Sequence, residues 1–192
     1  MLYLIAGLVL FFGCHGVTMK RDLRTRLITR LGEGGYKGLY SLVSAAGLAL
    51  IIFGYGQARF DGAPLVYEAP TWLRHLALLL LLPVFVFLIA AYVPGRIKTA
   101  AKHPMLVAVK LWALAHLLAN GDLASVLLFG SFLAYAVIDR ISLKRRPASD
   151  TGGAPAIQLG AAGDVIALVG GLALYGLFVW KLHLWLFGVS PM

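Results

Sequence analysis

The residues with the greatest capacity for chemistry lie in one apolar stretch, from His103 to Asp122. The stretch is long enough to enter a membrane, and it contains two histidines, His103 and His116, together with the lysine Lys110. Ionisable groups are costly in hydrocarbon, so those inside a spanning segment are by default candidates for a functional site. An imidazole in such a place most often pairs with another group, relays a proton or binds a metal.

His116 is the strongest candidate among the five histidines of the chain. It follows His103 by 13 residues, which is about 20 Å along a helix, so the two cannot lie at the same membrane surface. Trp112, His116 and Asn120 recur at i, i+4 spacing and are expected on one helix face. Two interpretations of His116 stay open. It either forms a hydrogen bond to a neighbouring helix or ligates a metal or haem, which would offset the cost of burying the imidazole.

The composition of the chain is typical of an integral membrane protein. Of its 192 residues 60% are hydrophobic and only 13% are charged, and the mean hydropathy is +0.86. A soluble domain carries roughly half apolar residues. The net charge of +9 lies mostly between the apolar segments, as membrane topology requires, so the composition predicts no nucleic-acid partner. The single cysteine, Cys14, excludes an internal disulfide.

Six apolar segments predict an all-α fold, a polytopic membrane helix bundle of about six transmembrane helices that forms one domain over residues 1–192. The segments are Leu2–Val17, Gly38–Gln57, Thr71–Val93, Pro104–Ala119, Leu123–Ile138 and Val165–Phe187. A helix needs about 20 residues to cross the hydrocarbon core, and the first, fourth and fifth segments, with about 16 each, require tilt or local thinning. Residues 147–163 are rich in small residues and proline, and they predict a flexible cytoplasmic linker within the domain.

The basic residues predict how the chain crosses the membrane. Thirteen of the 17 Lys and Arg residues fall in the first, third and fifth loops, Lys20–Lys37, Gly95–Lys102 and Asp139–Ala162. The positive-inside rule therefore places these loops in the cytoplasm and both termini on the opposite side. No basic residue precedes the first segment, which is expected to be an uncleaved span.

Two local motifs predict how helices meet. Residues 120–122, Asn-Gly-Asp, are too few for anything but a tight hairpin between neighbouring antiparallel helices. Glycine or asparagine is expected to supply the left-handed residue that ends one helix, and Asp122 to cap the next. On the last helix, Gly163, Ala167 and Gly171 form a stripe of small residues suited to close packing.

The roles of the remaining ionisable residues in or beside the apolar segments are not decided by the sequence. His103 precedes Pro104, which suits the first turn of a helix, so His103 is either a helix cap at the lipid headgroups or part of a site. Lys110 lies on the same helix face as His103 and is expected to reach cytoplasmic water or to pair with an anionic group. His15 lies near the inner end of the first segment, and His75 near the outer end of the third.

The sequence resembles the NnrU family of bacterial membrane proteins. The likeness is carried by the block His103–Asp122, by Leu123–Gly130 after it, and by Phe12–His15, Gly35–Ser44 and Arg74-His75. It covers nearly the whole chain outside the linker Pro147–Gly163. The resemblance implies a multi-pass protein of the bacterial inner membrane. In that membrane, the termini that the positive-inside rule places opposite the cytoplasm are expected in the periplasm. The resemblance also implies an association with nitrite and nitric oxide reduction.

The family is in turn similar to 15-cis-zeta-carotene isomerase, a membrane haem b enzyme whose axial ligation changes with redox state. The resemblance implies haem b in this chain, with His15 and His116 as axial ligands and Lys110 or a cytoplasmic arginine beside the propionates. The histidine of the His-Pro element of the enzyme corresponds to His103. Its alternative cysteine ligand corresponds to Ala113.

Two other ligand pairs stay open, because a simple helix count separates His15 from His116 by about 10 Å along the membrane normal. These pairs are His75 with His116, and His15 with His103.

Three functions are compatible with these expectations. As an enzyme, the protein would be a cis–trans isomerase of a polyene such as zeta-carotene, held in an apolar cavity. As a non-enzymatic protein it would be a haem sensor, an electron carrier or an accessory factor for nitrite and nitric oxide respiration, acting on a small gaseous ligand. Without haem it would be a membrane transporter or scaffold. The lipid bilayer is the expected partner in each case, and the sequence predicts neither catalytic residues nor an oligomeric state.

Overall fold

The computed structural model describes residues 1–145 and 159–191, and the chain is helical through most of that range. The helices are α1 (Leu2–Val17), α2 (Arg21–Phe60), α3 (Thr71–Tyr92), α4 (Arg96–Ala101), α5 (Pro104–Ala119), α6 (Leu123–Lys144), α7 (Ala161–Leu177) and α8 (His183–Phe187), with a π-helical turn at Phe178–Leu182. The predicted all-α fold is confirmed.

Four helical stretches within the described residues are long and apolar enough to cross a membrane. They are α2, α3, α6 and the continuous stretch Ala161–Phe187. The apolar helices α1 and α5 are shorter, with 16 residues each, and their bounds coincide with those of the first and fourth apolar segments of the sequence. Each of the six predicted segments therefore lies in helical structure, as expected of a multi-pass membrane protein. The number of crossings and the side on which the termini lie stay predictions.

The chain divides into two compact units by its internal contacts. The first comprises Met1–Glu68 and Asn120–Ser131, and the second comprises Ala69–Ala119 and Phe132–Met192. Helix α6 contributes its first residues to one unit and the rest to the other. The expectation of a single transmembrane domain over residues 1–192 stays a prediction. Most of the predicted linker, residues 147–163, lies outside the described residues, although α7 already begins at Ala161.

In the first unit, α1 and α2 pack antiparallel along glycines that bring the two backbones together. A Cβ atom on Gly47 would lie 2.9 Å from the backbone nitrogen of Phe11, and one on Gly54 would overlap the backbone of Leu4. Gly7 of α1 approaches the backbone of α2 in the same way. Small residues at such interfaces let membrane helices gain van der Waals contact at close range.

Helix α2 begins at Arg21, so the loop predicted from Lys20 to Lys37 is wrong in its secondary structure. The helical path breaks within this segment at Gly32, whose φ of 72° and ψ of 163° are accessible essentially to glycine alone. Hydropathy detects burial in lipid, and this segment is a polar helix that hydropathy does not register. Glu33 and Lys37 form an ion pair of 2.7 Å on its surface, one turn apart.

In the second unit, α3 packs against α5 and α7. The predicted stripe of small residues is confirmed, because Gly163, Ala167 and Gly171 are the buried residues of α7. A Cβ atom on Gly171 would lie 2.6 Å from the Cα atom of Val86. Ala167 packs with Val86 and Ala90 of α3 in one buried cluster. The two helices therefore pack closely at Ala167 and Gly171, whereas Gly163 lies against the backbone of Pro94 and Gly95, which follow α3.

The contact between α1 and α2 can be tested with Gly54→Ala, for which Gly56→Ala is the matched control. The methyl group added at position 54 overlaps the backbone of Leu4, whereas nothing lies within 4 Å of one added at position 56. We expect Gly54→Ala to lower the free energy of unfolding by about 1–3 kcal/mol. Gly56→Ala should leave it unchanged or raise it by up to about 1 kcal/mol, because alanine is the better helix former.

Titration of the detergent-purified variants with SDS, followed by circular dichroism, measures both free energies. Equal stability of the two variants would contradict the close contact of α1 with α2.

Candidate functional site

His15 lies in the last turn of α1, and its imidazole bonds to its own helix. Nδ1 lies 2.8 Å from the carbonyl oxygen of Phe11, one turn earlier. A carbonyl can only accept, so Nδ1 donates its hydrogen, and in the neutral ring Nε2 carries the lone pair. The ring stacks on Phe11 with centroids 4.1 Å apart and lies 5.4 Å from the ring of Tyr40 on α2. These contacts give the imidazole a defined orientation and tautomer.

His116 on α5 repeats this arrangement in the second unit. Its Nδ1 lies 2.8 Å from the carbonyl oxygen of Trp112, and the two rings lie 5.2 Å apart. Trp112 in turn meets Phe132 edge-on at 5.4 Å. The predicted contact of Trp112 with His116 is confirmed, whereas Asn120 lies beyond the end of α5 at Ala119. His116 therefore also holds its lone pair on Nε2.

The tautomer shared by His15 and His116 is one of the two that metal-ligating histidines adopt, the one that binds through Nε2. Such a ligand almost always donates its other ring N–H to a carbonyl or carboxylate oxygen, which orients the ring and raises its basicity. Within residues 1–145 and 159–191, no group of three or more His, Cys, Asp or Glu side chains could hold a metal ion.

The other predicted site residues have different surroundings. The carbonyl oxygen of His103 accepts the amide hydrogen of Leu106 at 3.0 Å, and α5 begins at Pro104, so the predicted helix start is confirmed. His75 is exposed on α3. Lys110 is half-buried on α5. The ligand pairs that use His75 or His103 stay predictions.

Cys14, the neighbour of His15, hydrogen-bonds across the contact between α1 and α2. Its thiol donates to the carbonyl oxygen of Tyr40, with Sγ 3.6 Å from that oxygen. The Ser44 hydroxyl donates to Sγ at 3.5 Å. The only cysteine of the chain therefore helps to hold the α2 residues that surround His15.

Tyr36 carries a buried polar group that no pattern in the sequence indicates. The residue is only 8% exposed, and its hydroxyl has no hydrogen-bond partner in the described part of the chain. Its ring lies 6.2 Å from that of Tyr40, which in turn contacts His15. Because buried hydroxyls normally have a partner, this position is suited to a polar group of a bound ligand on the His15 side.

Asp122 caps α6, as predicted. One carboxylate oxygen accepts from the backbone amide of Ser125 at 2.9 Å, and the other accepts from the Ser125 hydroxyl at 2.7 Å. Since that hydroxyl has only one hydrogen, the Tyr55 hydroxyl, 2.9 Å away, must donate to Ser125. Ser125 is fully buried, and this chain of hydrogen bonds joins α2 to the start of α6 within the first unit.

Position 121 requires glycine because its backbone lies very close to that of Tyr67, and not because of its φ angle. The predicted left-handed residue at position 120 or 121 is wrong, since neither residue has a positive φ. The carbonyl oxygen of Gly121 accepts from the amides of Val66 and Tyr67 at 2.8 and 3.2 Å. A Cβ atom on Gly121 would overlap the carbonyl oxygen of Tyr67. Burial raises the pKa of the Tyr67 phenol, and the negative charge of Asp122 raises it further.

The hydrogen bonds around Asp122 can be tested with Ser125→Ala. This change removes the acceptor of the Tyr55 hydroxyl hydrogen and the donor to one Asp122 oxygen, so we expect the free energy of unfolding to fall by about 1–3 kcal/mol. Thr29→Ala is the control, because the exposed Thr29 hydroxyl donates to the Thr25 carbonyl oxygen of its own helix, at 3.0 Å. The control should stay within about 0.5 kcal/mol of the parent. Thermal unfolding in detergent compares the two, and equal midpoints would mean that the Ser125 bonds contribute no stability.

A comparison with known protein families identifies the relatives of this chain. The family model described as NnrU protein matches residues 3–191, which is nearly the whole chain. None of the curated proteins matches it, and neither does any solved structure. The resemblance expected from the block His103–Asp122 and its companion segments is therefore confirmed over the full length of the fold. The chain belongs to the NnrU family.

Proposed function

We propose that this NnrU-family protein binds haem b within the membrane, with His15 and His116 as the axial ligands. The observation that carries the proposal is the hydrogen bond from Nδ1 of each histidine to the carbonyl oxygen one turn earlier in its own helix. It directs the lone pair of each neutral ring to Nε2, the nitrogen that would meet iron. Imidazole is a common protein ligand of haem iron.

The side chains around both histidines support a flat apolar cofactor. His15 is accompanied by the rings of Phe11 and Tyr40, and His116 by the ring of Trp112. Cofactor sites are lined mainly by aromatic and apolar side chains, with a few placed polar groups. Aromatic surroundings of this kind, beside a histidine of defined tautomer, suit an apolar macrocycle.

The propionates of haem need hydrogen-bond donors or cations. The Tyr36 hydroxyl is a buried donor on the His15 side, without a partner in the described residues. Lys110 is a half-buried cation on the helix that carries His116. Hydrogen bonds to an ionised carboxylate are roughly twice as strong as neutral ones. We therefore propose that Tyr36 and Lys110 hold the propionates.

When bound, haem supplies one-electron redox chemistry. The contribution of the protein is to hold two ligands, exclude water and set the local dielectric. Ala113 supports a constant ligand pair, because it is fully buried on α5 and stands where the resemblance implies an alternative cysteine ligand. Alanine has no atom that binds iron. We therefore favour an electron carrier or sensor that serves nitrite and nitric oxide respiration.

Isomerisation of a polyene such as zeta-carotene is the second candidate. It is favoured by His103, which lies directly before α5 at the position of the His-Pro element of the isomerase. Conversion of zeta-carotene by the haem-loaded, reduced protein would support the enzyme. Full haem loading without conversion, combined with a deletion strain whose terminal reductases are present but inactive, would support the accessory role.

The ligand assignment predicts the haem content of single variants. His15→Ala and His116→Ala should each lose most of the bound haem after expression with ample haem, because each removes one iron ligand. His183→Ala is the matched control. The Nδ1 of His183 also lies close to a carbonyl oxygen, that of Val189 at 2.6 Å, but this half-buried histidine lies on α8, outside the proposed ligand pairs. The pyridine haemochrome absorbance per mole of protein measures the content.

Three results would contradict parts of the proposal. Unchanged haem content in His15→Ala or His116→Ala, with size-exclusion elution like that of the parent, would remove that residue from the ligand pair. Loss in His75→Ala or His103→Ala instead would favour one of the alternative pairs. A parent protein without haem would contradict the proposed function and favour a haem-free transporter or scaffold.

A further inference from the structure

Residues 21–31, the part of α2 before Gly32, form a short amphipathic helix. Leu23, Leu27 and Leu31 recur every four residues, and Ile28 lies beside them, so the apolar side chains share one side of a helix with 3.6 residues per turn. Leu23 and Leu31 are 41% and 45% exposed. Leu27 and Ile28 are half-buried, so the described part of the chain leaves this apolar side partly uncovered.

Arginines border the apolar side on both edges. Arg26 and Arg30 lie along one edge and Arg21 along the other, and all three are exposed. The opposite side of the helix carries Thr25 and Thr29. Asp22 is the only acidic residue from Lys20 to Leu31, and it lies on the polar side in a shallow surface cavity lined also by Met19, Lys20, Arg21, Leu23 and Arg26. Cations at the borders of a narrow apolar side are typical of helices that lie in a membrane interface.

The break at Gly32 turns this segment away from the axis of the following span. Arg24 precedes Tyr36 by 12 residues, which is about 18 Å along a straight helix. The guanidinium carbon of Arg24 nevertheless lies only 5.7 Å from the centre of the Tyr36 ring. A straight helix would hold the two side chains further apart, so the contact requires the bend. The cation–π contact holds Arg24, the one arginine on the apolar side, against the span.

We propose that residues 21–31 lie along the membrane surface and bind the headgroups of anionic phospholipids. The apolar side would rest on the acyl chains, and the bordering arginines would meet the phosphates. The bilayer is the occupant that the observations favour, because the segment continues after one bend into a helix long and apolar enough to cross it. An excess of arginine over acid complements the negative surface of an anionic leaflet.

Labelling of the full chain in nanodiscs tests the orientation of the segment. In a Cys14→Ser background, which removes the only native cysteine, a nitroxide is attached at Leu27→Cys or at Thr25→Cys. In discs with about one third phosphatidylglycerol, a common anionic lipid, the label at position 27 should be accessible to oxygen and protected from a water-soluble nickel reagent. The label at position 25 should show the reverse, and the contrast should weaken in discs of phosphatidylcholine alone.

Nickel accessibility at both positions, independent of lipid composition, would overturn the proposal in favour of a helix surrounded by water. Protection of both labels from both reagents would overturn it in favour of a protein partner or a second copy of the chain.

A charge variant tests the part played by the arginines. Arg26→Gln combined with Arg30→Gln should reduce the preference of the full-length protein for phosphatidylglycerol by about tenfold at low salt. The preference is read from energy transfer between the protein tryptophans and a fluorescent lipid. Arg74→Gln combined with Lys181→Gln removes two exposed cations elsewhere and should leave the preference unchanged. Equal effects of the two double variants would mean that net charge alone, and not this segment, selects the lipid.

Discussion

In hydrocarbon, every polar hydrogen of a chain needs an acceptor within the protein, because no water is present to accept it. His15 and His116 meet this constraint in the same way, by donating Nδ1–H to a carbonyl oxygen of their own helix. The Tyr175 hydroxyl meets it by donating to the Leu78 carbonyl oxygen on a neighbouring helix, at 2.9 Å. For a histidine the solution has a chemical consequence, since the remaining ring nitrogen then carries a lone pair. The same hydrogen bond would therefore serve a half-buried imidazole and the iron ligand that we propose it to be.

The lipid environment also determines how the helices pack. Lipid supplies no hydrophobic drive between helices, so association depends on close contact of backbones. Gly47 and Gly54 provide that contact between α1 and α2, and Gly171 provides it between α7 and α3. Gly163 of α7 makes a similar approach to Pro94 and Gly95, which follow α3. Each unit thus has its own contact of small residues. Cys14 also lies at the contact in the first unit. Its thiol donates to the carbonyl oxygen of Tyr40, whose ring lies beside that of His15.

Much of this fold follows from sequence patterns with a direct physical cause. The bounds of α1 and α5 coincide with apolar runs, and the small residues of α7 and the cap at Asp122 lie where predicted. Helix formation from Arg21 was not predictable from hydropathy, because an arginine-rich amphipathic segment has no apolar run. The positive φ of Lys102, 59°, has no signal in its residue type.

In the candidate site, some contacts join residues close in sequence and were predictable, whereas others join residues far apart in sequence and were not. The i, i−4 relation of each histidine to its carbonyl acceptor is local, and the contact of Trp112 with His116 was predictable from spacing. The buried Tyr36 hydroxyl and the close approach of Gly121 to Tyr67 depend on contacts far apart in sequence. One sequence without its fold does not determine such contacts.

Electron paramagnetic resonance of the oxidised, detergent-purified parent protein at low temperature tests the central claim most directly. Two imidazole ligands with no alternative ligand at Ala113 predict a purely low-spin ferric signal of the bis-histidine type. They also predict a six-coordinate low-spin visible spectrum that persists after reduction with dithionite. A high-spin ferric signal, a thiolate-type signal that appears in one redox state, or a protein without haem would contradict the account.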